Sequence, residues 1–356
     1  MDHAFARVRA SAPLWIGALA SVALFLFAVQ LLGTATEAAA VPLRQFFAHH
    51  VSGDAQALGV SWLATYVLTN GSIVAALSVS LFGNGIVTDA QLFLMVAGSR
   101  LGAAAIVVLI GALDYLQKRR YSLGEATSLG LLAFLLTHSV YLPATVVGYL
   151  ALPWLQHPLE SVGTRTNVSS QFSPLESVTT AVVDAVGAEL GFVLAIAVLF
   201  ASLNLFDRVL KRVDTAWLRA RFFRRFQRTW VALALGVLLT GITTSVAFSL
   251  GVIVPLYNRG YLKRREVVPY VLGANLGTLF DTVLIAVVLQ SPVGVALVLA
   301  LLLVSTLLTL GATVWFDPYF RTVEAAHRRL VEDLRYFVGF VVLLIAVPVA
   351  LALLPR

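Results

Sequence analysis

Residues 63–77 read LATYVLTNGSIVAAL, and residues 238–251 read LLTGITTSVAFSLG. Each is an apolar stretch interrupted near its middle by small polar residues, around Asn70-Gly71 in the first and Thr243-Thr244-Ser245 in the second. The parent stretches, 57–83 and 232–258, could cross a bilayer as plain helices, since ~30 Å of hydrocarbon takes about 20 helical residues. They could equally enter and leave on one side as re-entrant hairpins. The choice between these readings decides the fold.

Outward from these two, seven stretches are apolar and long enough to span: 12–33, 89–113, 126–152, 178–206, 266–290, 292–316 and 336–355. The whole chain of 356 residues is 59% hydrophobic and 12% charged, with a mean hydropathy of +0.90. Soluble enzymes carry about 25% charged residues, so this is an integral membrane protein. Cysteine is absent, which excludes disulfides, thiol nucleophiles and thiolate metal sites.

The net charge of +7 invites nucleic acid as a partner, but membrane proteins gather lysine and arginine on their cytoplasmic side. Of 25 bases, 21 cluster at Arg7 and Arg9, at 118–120, between Arg208 and Arg228, at 259–265, and between Arg321 and Arg335. If 57–83 or 232–258 crossed the membrane, neighbouring clusters would fall on opposite faces. As hairpins, both let every cluster be cytoplasmic and leave one base in each outer loop, Arg44 in 34–56 and Arg165 in 156–177. The expected topology has the amino terminus in the cytoplasm, the carboxyl terminus outside, the first hairpin entering from outside and the second from inside. The segment up to Gly33 also has the outline of a secretory signal, but its apolar core is long for one and its loss would spoil the parity.

Laying Thr65 on Thr240 and keeping that register aligns the two hairpins and the helices that follow without a gap. Thr69 then falls on Thr244, Gly98 on Gly273, Leu101 on Leu276 and Gly102 on Gly277. Each half has three crossings, an odd number, so the second copy is upside down. The expected fold is therefore an all-α integral membrane protein, an inverted-topology repeat of seven spanning helices and two re-entrant helical hairpins. Its units are a first repeat at 1–155, an outer loop at 156–177, a second repeat at 178–316, and a cytoplasmic surface helix with a final span at 317–356. Such repeats are typical of secondary transporters, with broken helices from both halves meeting near the bilayer midplane.

At this point the sequence resembles the sodium/phosphate cotransporter family, whose inverted copies each pair a Gln-Ser-Ser-Ser hairpin with a later GANIGTT-like helix. LGANLGT, ending at Thr278, matches the second helix motif, and AGSRLGA from Ala97 keeps both glycines of the first. The likeness covers roughly residues 12 to 316. The hairpins depart from the family: Thr69-Asn70-Gly71-Ser72 and Thr244-Ser245-Val246-Ala247 replace the two Gln-Ser-Ser-Ser motifs, and Arg100 stands where Asn275 keeps an asparagine. The resemblance implies a transporter fold. Many bacterial members carry a soluble carboxyl-terminal domain; here the seventh span leads to Arg356, so such regulation is expected from another protein.

Broken helices expose amides that suit an anion and carbonyls that suit sodium. The candidate substrate- and ion-binding residues are Thr69, Asn70, Gly71, Ser72, Arg100, Thr244, Ser245, Asn275, Thr278 and Asp281. A sodium site is placed near Thr244, Ser245 and Asn275, with no metal site firmly assigned. Taken singly, such small polar residues more often serve helix packing, but two clusters at equivalent positions of an inverted repeat reverse that balance. Arg100 is the one base deep in a span, at a cost of about 2.5–3.5 kcal/mol, so it needs a partner. It either grips an oxyanion, replaces a cation, or forms a structural ion pair. Asp281 pairs with Arg100, coordinates a cation, or carries a proton. Asp184, Glu189 and His138 are weaker candidates, with Glu189 the deepest; Asn167-Val168-Ser169 is a glycosylation sequon on the outer side.

No Walker loop, dinucleotide fingerprint, HExxH or nucleophile elbow occurs, so an enzyme is not expected. The leading reading is sodium-coupled uptake of phosphate or a similar small oxyanion by alternating access, with sodium the suspected coupling ion and no other cofactor. The expected setting is the plasma (inner) membrane, with the lipid bilayer and a small inorganic anion as partners, a homodimer as the assembly considered, and no nucleic acid. A carrier coupled to protons or otherwise, for another substrate, is the alternative within transport. Outside it stands a transport-inactive scaffold or sensor.

Overall fold

The computed structural model describes residues 2–118, 123–165, 173–212, 228–258 and 261–354. Among these it is all helical. The described helices are, in chain order, α1 (Asp2–Ala38), α2 (Ala40–His50), α3 (Asp54–Leu68), α4 (Gly71–Gly83), α5 (Asp89–Lys118), α6 (Leu123–Arg165), α7 (Ser173–Val186), α8 (Ala188–Lys211), α9 (Thr229–Thr243), α10 (Val246–Asn258), α11 (Arg264–Gly277), α12 (Leu279–Val288), α13 (Pro292–Val314), α14 (Phe316–Glu332) and α15 (Leu334–Ala352). Among the described residues, seven stretches are long and apolar enough to cross a membrane: Ile16–Ala38, Asp89–Ile110, Gly130–Thr164, Ala188–Lys211, Arg264–Val288, Pro292–Val314 and Leu334–Ala352. The sequon at Asn167 and parts of the basic clusters at 118–120, 208–228 and 259–265 lie outside the described residues.

Three boundaries differ from the sequence reading. The fourth apolar stretch is two helices, because Gly187 at φ 85° turns the chain between α7 and α8. Only α8 is long and apolar enough to cross. The fifth is divided at Thr278 into α11 and α12. The third is much longer than its apolar core: α6 runs through Pro143, Pro153 and Pro158 to Arg165. The outer segment after the first span is also helical, as α2.

Both interrupted stretches break where the small polar residues stand. Between α3 and α4 the break is at Thr69 and Asn70, and between α9 and α10 at Thr244 and Ser245. Thr69 has φ 51° and ψ 20°, and Thr244 has φ 49° and ψ 17°. A β-branched residue at positive φ is an outlier that costs about 1–3 kcal/mol, so surrounding packing must hold it there. On the far side of each break a side chain starts the next helix. Asn70 accepts from the Ser72 and Ile73 amides at 2.9 and 3.3 Å, and Ser245 Oγ accepts from the Phe248 amide at 3.1 Å. These are N-caps that satisfy otherwise orphaned donors.

The helices around the two breaks pack alike. α3 and α4 touch each other and both lie on α5; α9 and α10 touch each other and both lie on α11. The seams are backbone against backbone. A methyl group on Gly98 would stand 2.7 Å from the Leu58 carbonyl oxygen, and one on Gly102 would stand 2.7 Å from that of Trp62. In the other half, a methyl on Gly277 would meet the Val237 carbonyl at 2.8 Å, and one on Gly273 would meet that of Leu233 closer still. Any side chain at these four positions would push the helices apart, which is why the motif glycines sit here.

α6 and α13 pack on each other and on α5. α15 closes against α3, where the Tyr66 hydroxyl donates to the Leu344 carbonyl at 2.8 Å. α14 is amphipathic, buries Val323 and His327, and is tied to α11 by the Arg264–Glu324 ion pair at 2.8 Å and by Arg265–Asp317.

Candidate functional site

The two breaks open on one cavity of about 540 Å³. Thr69, Asn70, Gly71 and Ser72 line it from the first break, and Thr244 and Ser245 from the second. Arg100 reaches it from α5, Asn275 from α11, Asp281 from α12, and Thr278 from the junction of α11 and α12. All ten candidate residues thus share one space, although they come from both halves of the chain.

Arg100 is 6% exposed and held by α12 and the residue that precedes it. Its Nη2 donates to Thr282 Oγ1 at 2.8 Å and lies 3.6 Å from Asp281 Oδ1, and its Nη1 donates to the Thr278 carbonyl at 3.2 Å. The Thr282 hydroxyl in turn donates to Asp281 Oδ1 at 2.9 Å. The remaining carboxylate oxygen accepts from Ser72 Oγ. Arg100, Asp281, Thr282 and Ser72 therefore form one buried network joining α4, α5 and α12, in which the arginine has an acid partner. Its Nε is buried and has no hydrogen-bond partner among the described residues. The fork is anchored at its far end and carries one spare donor.

Asn275 is 9% exposed. One end of its amide meets the Thr137 hydroxyl at 3.2 Å, and the other end has no partner among the described residues. Its backbone carbonyl accepts from Tyr141 at 2.8 Å and from Thr278 at 2.6 Å, fixing the chain where α11 gives way to α12.

Among the lining residues that were not candidates from the sequence, three make hydrogen bonds to candidate residues. Thr137 and Tyr141, one helical turn apart on α6, lie on the face toward the cavity, whereas His138 does not. His138 stacks on Phe134 with ring centroids 3.7 Å apart. The third is Asp207 near the end of α8, whose Oδ1 accepts from Ser245 Oγ at 2.5 Å. Its place beside Arg208, Lys211 and Arg212 disguised it as a flanking charge. Asp184 and Glu189 are both exposed and do not line the cavity, so the expected depth of Glu189 is not observed. No group of three metal-ligating side chains occurs among the described residues.

The apolar helices define a multi-span, all-helical membrane protein. Residues 198–315, about a third of the chain, match the family model described as Na+/Pi-cotransporter, which describes transporters and not enzymes. The match runs from the latter part of α8 into the end of α13 and takes in the second break, the LGANLGT helix, Asp207 and Asp281. No curated protein and no solved structure matches the chain.

Proposed function

We propose that the chain is a sodium-coupled transporter of phosphate or a similar small oxyanion. The observation that carries this is the single cavity on which two strained helix breaks converge with Arg100, whose buried Nε is free to donate. A buried donor without a partner costs about 1–3 kcal/mol, and an oxyanion oxygen would remove that cost. The unpartnered end of the Asn275 amide adds a second polar group to the same space. The family match over 198–315 supports phosphate and sodium as the first ligands to test.

In this reading 57–83 and 232–258 are re-entrant hairpins of an inverted repeat, with the amino terminus cytoplasmic and the carboxyl terminus outside. The matching left-handed threonines and the matching glycine seams support that arrangement. Alternating access then moves the hairpin-bearing helices against the rest. Proton coupling is the second reading, favoured by two carboxylates on the cavity wall, Asp207 and Asp281.

Uptake of labelled phosphate into proteoliposomes tests the proposal. Accumulation driven by an imposed sodium gradient is expected. Accumulation driven by a proton gradient alone selects the second reading, and no uptake under either from folded protein overturns both.

A further inference from the structure

α13 and α15 are both long and apolar enough to cross the membrane, at Pro292–Val314 and Leu334–Ala352, and α14 is the 17-residue helix between them. Trp315 alone joins it to α13, and Asp333 alone joins it to α15. At 1.5 Å per residue α14 is about 26 Å long, so two spans that leave and re-enter at one membrane surface hold it along that surface. The aromatic residues at its ends agree. Trp315, 69% exposed, and the exposed Tyr336 stand where one span ends and the next begins, the level at which tryptophan and tyrosine gather in membrane proteins. The residues that match the family model end at Trp315, so α14 lies outside that match.

The apolar face of α14 is spent on the protein. Val323 lies in one buried cluster with Val267, Val268 and Val271 of α11, and the Tyr319 hydroxyl meets that of Ser139 on α6 at 2.8 Å. Asp317 is paired with Arg265, and Glu324 with Arg264. The outward face keeps Arg321, Arg328 and Arg329, all exposed, with Glu332 at its end. Arg321 and Arg328 are seven residues apart and so stand on one line of the helix, about 10 Å from each other. Arg329 Nη2 donates to the Tyr336 hydroxyl at 2.5 Å, and its guanidinium lies 4.3 Å over that ring. This is a basic row at headgroup depth, where each arginine gains from a negative surface potential and its fork matches a phosphate.

We infer that α14 is an anchoring helix for anionic phospholipid, whose headgroup phosphates Arg321 and Arg328 bind with Arg329 flanking them. This goes beyond the transport reading and stands without it. The ion pairs of Arg264 and Arg265 join α14 to the amino-terminal end of α11, and the other end of α11 carries Asn275 to the cavity wall. A bound lipid therefore holds one end of a cavity helix at the membrane surface, and it stabilises the fold as any ligand of the native state does.

Thermal melting of the full-length protein in neutral detergent, titrated with phosphatidylglycerol or with phosphatidylcholine, tests this. Phosphatidylglycerol is expected to raise the melting temperature saturably and phosphatidylcholine to leave it unchanged. Salt at about 1 M, where the screening length is about 3 Å, is expected to shrink the rise. Arg321→Gln/Arg328→Gln, which leaves the Arg329–Tyr336 contact in place, is expected to need at least about tenfold more phosphatidylglycerol for the half-maximal rise, with Arg321→Lys/Arg328→Lys in between. Both substituted side chains are exposed, so the lipid-free melting temperature of the glutamine variant is expected to match wild type; if it falls, Arg328→Gln alone is compared, at about threefold weaker binding. A variant that titrates like wild type, or an equal rise with phosphatidylcholine, overturns the proposal. Inorganic phosphate at matching concentration separates a headgroup from a free anion: a rise with phosphate that the double variant loses assigns the row to free phosphate and overturns the lipid site. Each readout is independent of uptake, so failure here leaves the transport reading standing.

Discussion

Thr69 and Thr244 stand at the two helix breaks and hold nearly the same left-handed backbone conformation, φ 51° ψ 20° and φ 49° ψ 17°. Glycine adopts that conformation without the steric penalty of a β-branched side chain, while the proline ring is confined to negative φ. Thr69→Gly and Thr244→Gly are expected to melt no lower than wild type in detergent. Thr244→Pro is expected to be destabilised by roughly 3 kcal/mol or more. A large loss in the glycine variants would mean that the threonine side chains, rather than backbone shape, define the breaks.

The Arg100–Asp281 pair yields a double-mutant cycle. Removing one member of a buried ion pair strands the other, at about 3–5 kcal/mol. Arg100→Gln and Asp281→Asn are each expected to lower the melting temperature strongly, and the double variant to recover much of the loss. Phosphate binding is expected to weaken in the double variant too, because the spare Nε donor is gone. Full stability recovery with unaltered phosphate affinity would leave the pair a purely structural device.

Gly98→Ala and Gly273→Ala test the backbone seams. The methyl added at Gly98 would stand 2.7 Å from a carbonyl oxygen and that at Gly273 closer still, and neither oxygen can yield without moving a helix. Overpacking of this kind costs typically about 1–3 kcal/mol. Gly251→Ala is the control: its added methyl meets open space, so a helical alanine there is expected to stabilise by about 0.5–1 kcal/mol. Equal melting temperatures in all three would refute the close approach.

Tyr141 and His138 separate the cavity face of α6 from its neighbour. Tyr141→Phe deletes the hydroxyl that holds the Asn275 carbonyl, a loss of about 1 kcal/mol with weaker phosphate binding expected. His138→Phe keeps the ring stacking on Phe134 and is expected to leave uptake unchanged. Binding assays on the two variants, run side by side with uptake, check both.

Much of this was readable from the chain alone, because the decisive features are local. Small polar residues in an apolar run mark a break wherever the run lies, and the shared glycine spacing of LGANLGT and AGSRLGA marked two helices as counterparts, though not as close helix contacts. Arg100 announced its need for a partner by its depth, and Asp281 was already among the candidates. What was not legible depended on orientation or on distant partners. A small rotation about α6 separates Thr137 and Tyr141, which face the cavity, from His138, which attracted notice for its chemistry. Asp207 sits in a run of bases where an acid reads as ordinary surface charge, and only its contact with the distant Ser245 changes that reading. Gly187 divided a stretch whose hydropathy gave no sign of a turn.

The glycine seams also have a mechanical consequence. Where Gly98 and Gly102 lie under the carbonyls of Leu58 and Trp62, and Gly273 and Gly277 under those of Leu233 and Val237, only small side chains such as Ser61, Thr65 and Thr240 share the seam, and little is left to shear. Sliding one helix along the other would carry a carbonyl off its glycine and into a neighbour that has a side chain. α3 with α5, and α9 with α11, are in effect two welded beams, each with a left-handed threonine at its end. Any opening of the cavity must displace a beam whole, and the compliance falls to seams lined with side chains, such as that between α6 and α13.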